Sequence, residues 1–173
     1  MTEKFGLLDE AAQSTKIFLM SRDEFTGWLE QASNAQRNWS TVQGFIAKPG
    51  KAITFAKNNG KIDFSIGIYG DHAVWDGASI AANLPTGQWQ FVGYKSDISD
   101  QLTECLALGW SLGQYRFQKY RATLAAPINY LVIPKTVNVP RLLGQVRGIY
   151  LCRDLINLPP NHMTPAALEE EMK

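Results

Sequence analysis

The chain has 173 residues, 45% hydrophobic and 11% aromatic, which gives it the length and apolar content of one ordinary domain with a single core. It carries 17 Lys and Arg against 16 Asp and Glu, a formal net charge of +1. A charge this close to zero creates no long-range attraction to nucleic acid, membranes or acidic substrates. The first ten residues lack a secretory signal's apolar stretch, and no run approaches the roughly 18 apolar residues that span a bilayer. We therefore expect a soluble, cytoplasmic protein with no membrane partner.

The two cysteines, Cys105 and Cys152, fall inside two predicted helices and have neither a metal-binding nor a redox spacing. We expect reduced, buried thiols, because intracellular proteins seldom keep structural disulfides. A disulfide between the two helices stays open as the alternative.

The chain opens with a strand followed by a helix. Residues 16–20 form a short apolar run typical of a buried strand. Ser21 can cap the next helix, with Glu24 three residues further on completing a capping box. That helix carries three apolar side chains on one face, namely Phe25, Trp28 and Leu29. The polar stretch over residues 33–40 gives no assignment.

Residues 52–57 and 61–69 predict a β-hairpin with a turn at residues 58–60. Asn59 and Gly60 suit a tight turn because both residues tolerate positive φ. In the second strand, apolar residues occupy alternate positions, Ile62, Phe64, Ile66 and Ile68. This alternation predicts one face in a core and one more polar face.

Further helices and strands alternate to the end of the chain. A short helix is predicted over residues 75–83, with strands over 88–94 and 129–133. Asn138 starts a helix that runs to Leu158. The pattern predicts one α/β domain with a mixed β-sheet and helices on both faces.

The predicted helix that follows residue 97 is the longest. Asp97 or Ser99 can cap it, and apolar residues recur at helical spacing as far as Tyr115. Three basic residues, Arg116, Lys119 and Arg121, fall near its end, where positive charge suits the helix macrodipole.

Two stretches resemble the leucyl aminopeptidase family. Residues 109–120, Gly-Trp-Ser-Leu-Gly-Gln-Tyr-Arg-Phe-Gln-Lys-Tyr, are similar to the family's Gly-x-x-Leu-Gly-x-Tyr-x-Phe-x-x-Tyr pattern on a long helix of its amino-terminal domain. Residues 153–165, Arg-Asp-Leu-Ile-Asn-Leu-Pro-Pro-Asn-His-Met-Thr-Pro, resemble its Arg-Asp-Leu-x-Asn-x-Pro-x-Asn-x-x-x-Pro signature, which leads into the catalytic domain. Pro160 stands where Ala or Ser is more usual.

The resemblance implies a macro-domain-like, three-layer α/β/α fold. It implies an amino-terminal non-catalytic domain over residues 1–158, followed over 159–173 by a linker and a truncated helix that lead to a catalytic domain. The parent would remove amino-terminal residues from peptides, using two divalent metal ions, zinc or manganese, as a hexamer. The family's metal ligands, a Lys, several Asp and a Glu, would lie beyond Lys173, so no catalytic, cofactor or metal residue maps here. We expect the 173-residue chain alone to be inactive.

One group of polar residues and one single histidine are considered as candidate sites. Asp71, His72 and Asp76 have the atom types of a metal site, but no second His stands at a helical spacing. We prefer a polar loop in which Asp71 and Asp76 serve turns or caps. His162 is interpreted as an exposed linker residue, because no nucleophile or orienting acid can be placed beside it.

Basic and aromatic side chains near the carboxyl end form a candidate nucleic-acid surface. They are Arg116, Lys119, Arg121, Arg141 and Arg147, with Tyr115 and Tyr120 among them. We prefer solvated helix faces with aromatic residues in the core, because the net charge is so low. The group Trp110, Tyr115 and Phe117 is likewise assigned to packing.

Three other interpretations stay open. One is a macro-like domain that takes an ADP-ribose type of ligand, although no Gly-rich phosphate-binding loop occurs in the sequence. The others are a DNA-contacting surface and a stand-alone α/β protein that shares only the helix motifs.

Overall fold

The computed structural model describes residues 2–117, 119–120, 129–159 and 161–171. After a 3-10 turn at Glu3–Phe5, its elements are β1 (Leu7–Leu8), β2 (Thr15–Met20), α1 (Arg22–Gln31), α2 (Asn34–Val42), β3 (Ala52–Ala56), β4 (Ile62–Ile68), α3 (Ala73–Asn83), β5 (Gln88–Gly93), α4 (Asp100–Gly113), β6 (Tyr130–Val132), α5 (Val139–Asn157) and α6 (Pro165–Glu171). The strands make a six-stranded sheet in the order β1-β6-β5-β2-β4-β3. Its strand pairs are parallel except β3 with β4, which form the predicted hairpin.

The sheet separates two apolar cores. On β2, Ile17 and Leu19 belong to one core while Met20 belongs to the other, because successive side chains of a strand point to opposite faces. The larger core packs the sheet against α3, α4 and α5, and the smaller one packs it against α1. Helices therefore cover both faces, which confirms the predicted three-layer fold.

Capping boxes start α1 and α2. Ser21 and Glu24 exchange the predicted pair of hydrogen bonds at the start of α1. The same arrangement links Ser33 to Gln36, so the stretch left unassigned from the sequence is a helix. A Ser followed three residues later by a Gln is the sequence pattern that predicts the start of this helix.

The hairpin differs from its prediction in two respects. Gly60 alone supplies positive φ in the turn, at 79°, because no non-glycine residue in the described part of the chain has positive φ. Asn59 contributes its side-chain oxygen, which accepts from the Lys61 N–H over 3.1 Å. Ser65 and Gly67 are buried, so the predicted polar face of β4 is wrong beyond Asp63. That half of β4 lies between helices on both faces of the sheet.

The prediction that the helix after residue 97 is the longest is wrong. Ser99 caps α4, which ends at Gly113 after 14 residues, whereas α5 has 19. Tyr115 lies beyond the end of α4, and its side chain contacts α5. Arg116 and Lys119 therefore lie beyond the end of α4, and Arg121, like Gln118, falls outside the described residues.

Both cysteines are free thiols in helices, and no disulfide joins them. Cys105 is half-buried in α4, but Cys152 is exposed. The prediction of burial is wrong for Cys152 because it lies on the side of α5 that faces solvent. No helix within the described ranges is long and apolar enough to cross a membrane.

Candidate functional site

The segment that follows α4 and the second half of α5 meet at one surface. The Tyr115 hydroxyl donates to Oδ1 of Asp154 over 2.7 Å, and Nδ2 of Asn157 donates to the Tyr115 hydroxyl over 3.2 Å. The Arg153 guanidinium lies 5.2 Å from the centre of the Tyr115 ring and donates to the Leu112 carbonyl over 2.8 Å. These contacts, which we call the Tyr115 network, join the two motif stretches that the sequence presents separately.

Tyr150 extends this network into the core. Its hydroxyl donates to the Ser111 carbonyl over 2.7 Å, and its ring packs edge-on against Tyr115 and Phe5, with centroids 5.0 and 5.1 Å away. Burial raises the pKa of Tyr150 to about 12, although the nearby Arg153 acts in the opposite direction. The phenol therefore stays protonated and acts as a hydrogen-bond donor at neutral pH.

Glycines let α3 and α4 approach each other closely. A Cβ at Gly109 would collide with the Val74 carbonyl oxygen, and a Cβ at Gly77 would collide with the Leu106 carbonyl oxygen. Gly113 lies against Ala78 of α3. Helix packing thus explains two glycines of the first motif, Gly109 and Gly113. The same packing places the end of α4 where Tyr115 can reach α5.

Trp110 is completely buried beneath the sheet. Its indole N–H lies 3.2 Å from two carbonyl oxygens, those of Gly6 and Asn129. This confirms the packing role predicted for Trp110 and links α4 to the backbone beside β1 and β6.

The Asn129 side chain joins the end of α3 to the start of β5. Its oxygen accepts from the Gly87 N–H over 2.8 Å and lies 3.4 Å from the Trp89 indole nitrogen. Its NH₂ group donates to the carbonyls of Ala81 and Leu84 over 2.9 and 3.2 Å. The sequence carried no signal for this role, because all four partners lie at least 40 positions away.

Asp71, His72 and Asp76 lie at the start of α3, and Asp76 is in its first turn, so only Asp71 and His72 belong to the loop before it. Asp76 is only 5% exposed, and its Oδ2 accepts from the Gly70 N–H over 2.8 Å, a turn role like the one predicted. Burial raises the pKa of Asp76, while the Gly70 hydrogen bond and His72 oppose that shift. In the described part of the chain, no group of three or more His, Cys, Asp and Glu side chains could hold a metal ion.

His162 is exposed, as predicted for a linker residue, and its ring packs edge-on at 5.6 Å against Tyr120. Pro160, two positions earlier in the signature, falls outside the described residues.

The basic residues singled out from the sequence do not share one environment. Arg116 and Lys119 line a concavity of about 380 Å³ together with Lys4. Arg141 instead forms an ion pair with Glu104 of α4.

The six-stranded mixed sheet between two helical layers defines a three-layer α/β domain whose Tyr115 network fixes its carboxyl-terminal end. The family described as M17 aminopeptidase, N-terminal domain, matches residues 15–134. The chain belongs to this family.

Known proteins with related sequence or structure are longer than this chain. The probable cytosol aminopeptidase of Roseiflexus castenholzii (strain DSM 13941 / HLO8) is 36% identical over 44% of this chain and 19% of its own length. The crystal structure of cytosol aminopeptidase from Coxiella burnetii has a TM-score of 0.80 and 26% identity, covering 95% of this chain and 36% of that one. The bottromycin maturation enzyme BotP in complex with Mn has a TM-score of 0.63 at 20% identity, covering 93% and 35%, a likeness of fold alone. This chain thus spans only about a fifth to a third of these relatives.

Proposed function

We propose that this chain is the amino-terminal, non-catalytic part of a metal-dependent leucyl aminopeptidase of the cytoplasm. Residues 1–158 would form the domain, and residues 159–173 would lead to a catalytic domain that removes amino-terminal residues from peptides. The family match over residues 15–134 supports this proposal, as do two relatives named cytosol aminopeptidase. We further propose that the parent uses two divalent ions, zinc or manganese; the neighbour BotP is described in complex with Mn. The chain itself would be inactive.

The Tyr115 network is the observation that carries the proposal. It holds Arg153, Asp154 and Asn157, which begin the signature stretch, against the end of α4. Asn157 is the last residue of α5, so the network fixes the direction in which the chain leaves the domain. A fixed exit would set the position of this domain relative to the catalytic domain.

Exposed apolar side chains on α5 and α6 support the same assignment. Ile156 is 82% exposed, and Leu151 and Leu168 are 38% and 39% exposed. Removing apolar surface from water is favourable by about 25 cal/mol per Å². We propose that these side chains pack against the catalytic domain. In the hexamer, the domain would also contact neighbouring subunits and limit access to their active sites.

Two measurements test the assignment. The reading frame beyond Lys173 should continue with the Lys, Asp and Glu residues of a two-metal site. The purified 173-residue chain should release no amino acid from a leucyl substrate when zinc or manganese is added. Metal-dependent release by the chain alone would show that no further domain is needed.

A substitution at Ile156 tests the proposed contact with the catalytic domain. In the longer protein, Ile156→Glu should weaken packing against the catalytic domain and, with it, hexamer formation measured by sedimentation, because it places a charge in an apolar contact. In the 173-residue chain it should change the free energy of unfolding by less than about 0.5 kcal/mol, because the side chain is exposed. Val42→Glu, at an equally exposed apolar position on α2, is the matched control and should leave assembly unchanged.

Binding of an anionic ligand is a second candidate, favoured by one observation. Lys4, Arg116 and Lys119 line one concavity, although Asp154 lines it too. Calorimetry with ADP-ribose and a gel shift with DNA at low and moderate salt test this candidate. Micromolar binding in either experiment would favour a macro-like or DNA-binding module over an assembly domain.

A further inference from the structure

β3 lies at one edge of the sheet, and no strand in the described ranges pairs with its outer side. The Ile68 N–H donates to the Lys51 carbonyl over 2.9 Å, so the backbone of Lys51 faces β4. Because backbone groups of successive residues point to opposite sides of an extended strand, those of Ala52 and Thr54 point outward. Trp39 supports this direction, since its indole N–H donates to the Thr54 carbonyl over 2.9 Å.

A groove of about 490 Å³ follows this open edge, between β3 and the end of α2 with the loop after it. Trp39 and Ile46 line it and are 42% and 63% exposed, so both present apolar surface to solvent. Strand edges with free backbone groups and neighbouring apolar pockets are where proteins add an extended peptide to a sheet.

The charge of the groove is positive. Lys48 and Lys51 line it, and no Asp or Glu is among the described residues of the lining. Neither lysine forms an ion pair with a residue that the structure describes. The groove therefore complements a chain that carries carboxylates and repels a basic one.

We propose that this groove, defined by Trp39, Ile46, Lys48, Lys51 and the outer edge of β3, binds an extended acidic peptide segment. The segment adds to the sheet as a further strand and pairs with the N–H and C=O of Ala52 and the N–H of Thr54. Its apolar side chains contact Trp39 and Ile46, and its carboxylates approach the two lysines. The site shares no residue with the Tyr115 network, so it does not depend on the role proposed for that network.

Fluorescence anisotropy tests the proposal with a labelled, amino-terminally acetylated peptide of alternating Glu and Val. A peptide of alternating Lys and Val, equal in length, is the matched control. The acidic peptide should bind saturably to the 173-residue chain, and the basic one should not. The double variant Lys48→Glu, Lys51→Glu should bind the acidic peptide at least about tenfold more weakly, since charge complementarity is reversed while both positions are exposed. Equal binding of both peptides, or no binding at millimolar protein, would overturn the proposal.

Backbone pairing is tested separately. Ala52→Pro removes one outward N–H, and proline is tolerated on an edge strand where the N–H faces solvent. This variant should keep its far-ultraviolet circular dichroism and lose peptide binding. In hydrogen exchange on the unmodified chain, bound peptide should protect the Ala52 and Thr54 amides, while the Ile53 amide, which faces β4, is already protected. If the Ala52 and Thr54 amides exchange equally with and without bound peptide, strand addition is wrong. A concentration-dependent dimer that Ala52→Pro abolishes would instead assign the edge to a second copy of the chain.

Discussion

The hydroxyl of Tyr115 donates to Oδ1 of Asp154 across 2.7 Å, although the two residues are 39 positions apart in the chain. Tyr115 follows α4 and Asp154 lies in α5, so this bond closes the corner between the two helices. Arg153 reinforces the corner from the other side of the ring, and the neighbouring Tyr150 supports it from the core. These contacts hold the second half of α5 against the end of α4.

Tyr115→Phe should lower the free energy of unfolding by about 1 kcal/mol, because it removes a hydrogen bond to a charged group without changing the ring. Urea unfolding measures the difference. Tyr94→Phe is the control and should have a smaller effect, because no described residue forms a hydrogen bond with the Tyr94 hydroxyl. Combining Tyr115→Phe with Asp154→Ala should cost less than the sum of the single changes, and strict additivity would contradict the coupling.

Gly109→Ala should destabilise the domain by at least about 2 kcal/mol, because the added methyl group would force α4 away from the Val74 carbonyl of α3. The same change at Gly144 or Gly148 of α5 meets no atom within 4 Å. There it should stabilise by roughly 0.5 to 1 kcal/mol, because alanine favours a helix over glycine. Thermal unfolding of the three variants gives the comparison. Equal effects in both helices would contradict the close packing of α3 and α4.

Asn129→Ala should cost about 3 kcal/mol, because it leaves three partly buried backbone groups, at Gly87, Ala81 and Leu84, without their partner. Asn83→Ala provides the control, since Asn83 is exposed and its side chain donates only to the Ser79 carbonyl one turn earlier. Chemical denaturation should separate the two variants clearly. A loss below about 1 kcal/mol for Asn129→Ala would mean that water replaces the side chain.

Asp76 should make the free energy of unfolding fall as the pH rises above 3.8, the ordinary pKa of its carboxyl group. Its pKa in the folded chain is raised from 3.8 by burial. Because this pKa is raised, the protonated carboxyl group contributes its full stabilisation below pH 3.8. This contribution to the free energy of unfolding is lost as the pH rises through the pKa of the folded chain. Asp76→Asn keeps an oxygen for the Gly70 N–H but carries no charge. Its stability relative to the unmodified chain should therefore increase between about pH 4 and pH 7.

Urea unfolding at several pH values measures this difference for Asp76→Asn. Asp71→Asn, which removes a carboxyl group at an exposed neighbouring position, is the control. If the Asp76→Asn curve is flat, the carboxyl group is not held in an environment that disfavours its charge.

Most of the elements were predictable because their signals are local. Ser21 with Glu24 and Asn138 with the amide of Arg141 form caps within three residues, so sequence spacing alone indicates them. The strand at β2 and the hairpin were predicted from apolar runs and alternation. β1 was missed because two residues are too short to show a period. The burial of Ser65 was missed because alternation cannot tell that a second helical layer covers a strand.

Residues within a few positions of each other therefore encode most of the strands and helices, their caps and the two motifs that indicate the family. Only the tertiary structure shows that the two motifs meet at Tyr115 and Asp154, that Asn129 joins α3 to β5, and that β3 is an open edge. Those contacts depend on strand order and on how closely α3 and α4 pack. Strand order and helix packing depend on residues that are far apart in the chain, so the spacing of residues along the sequence does not predict them.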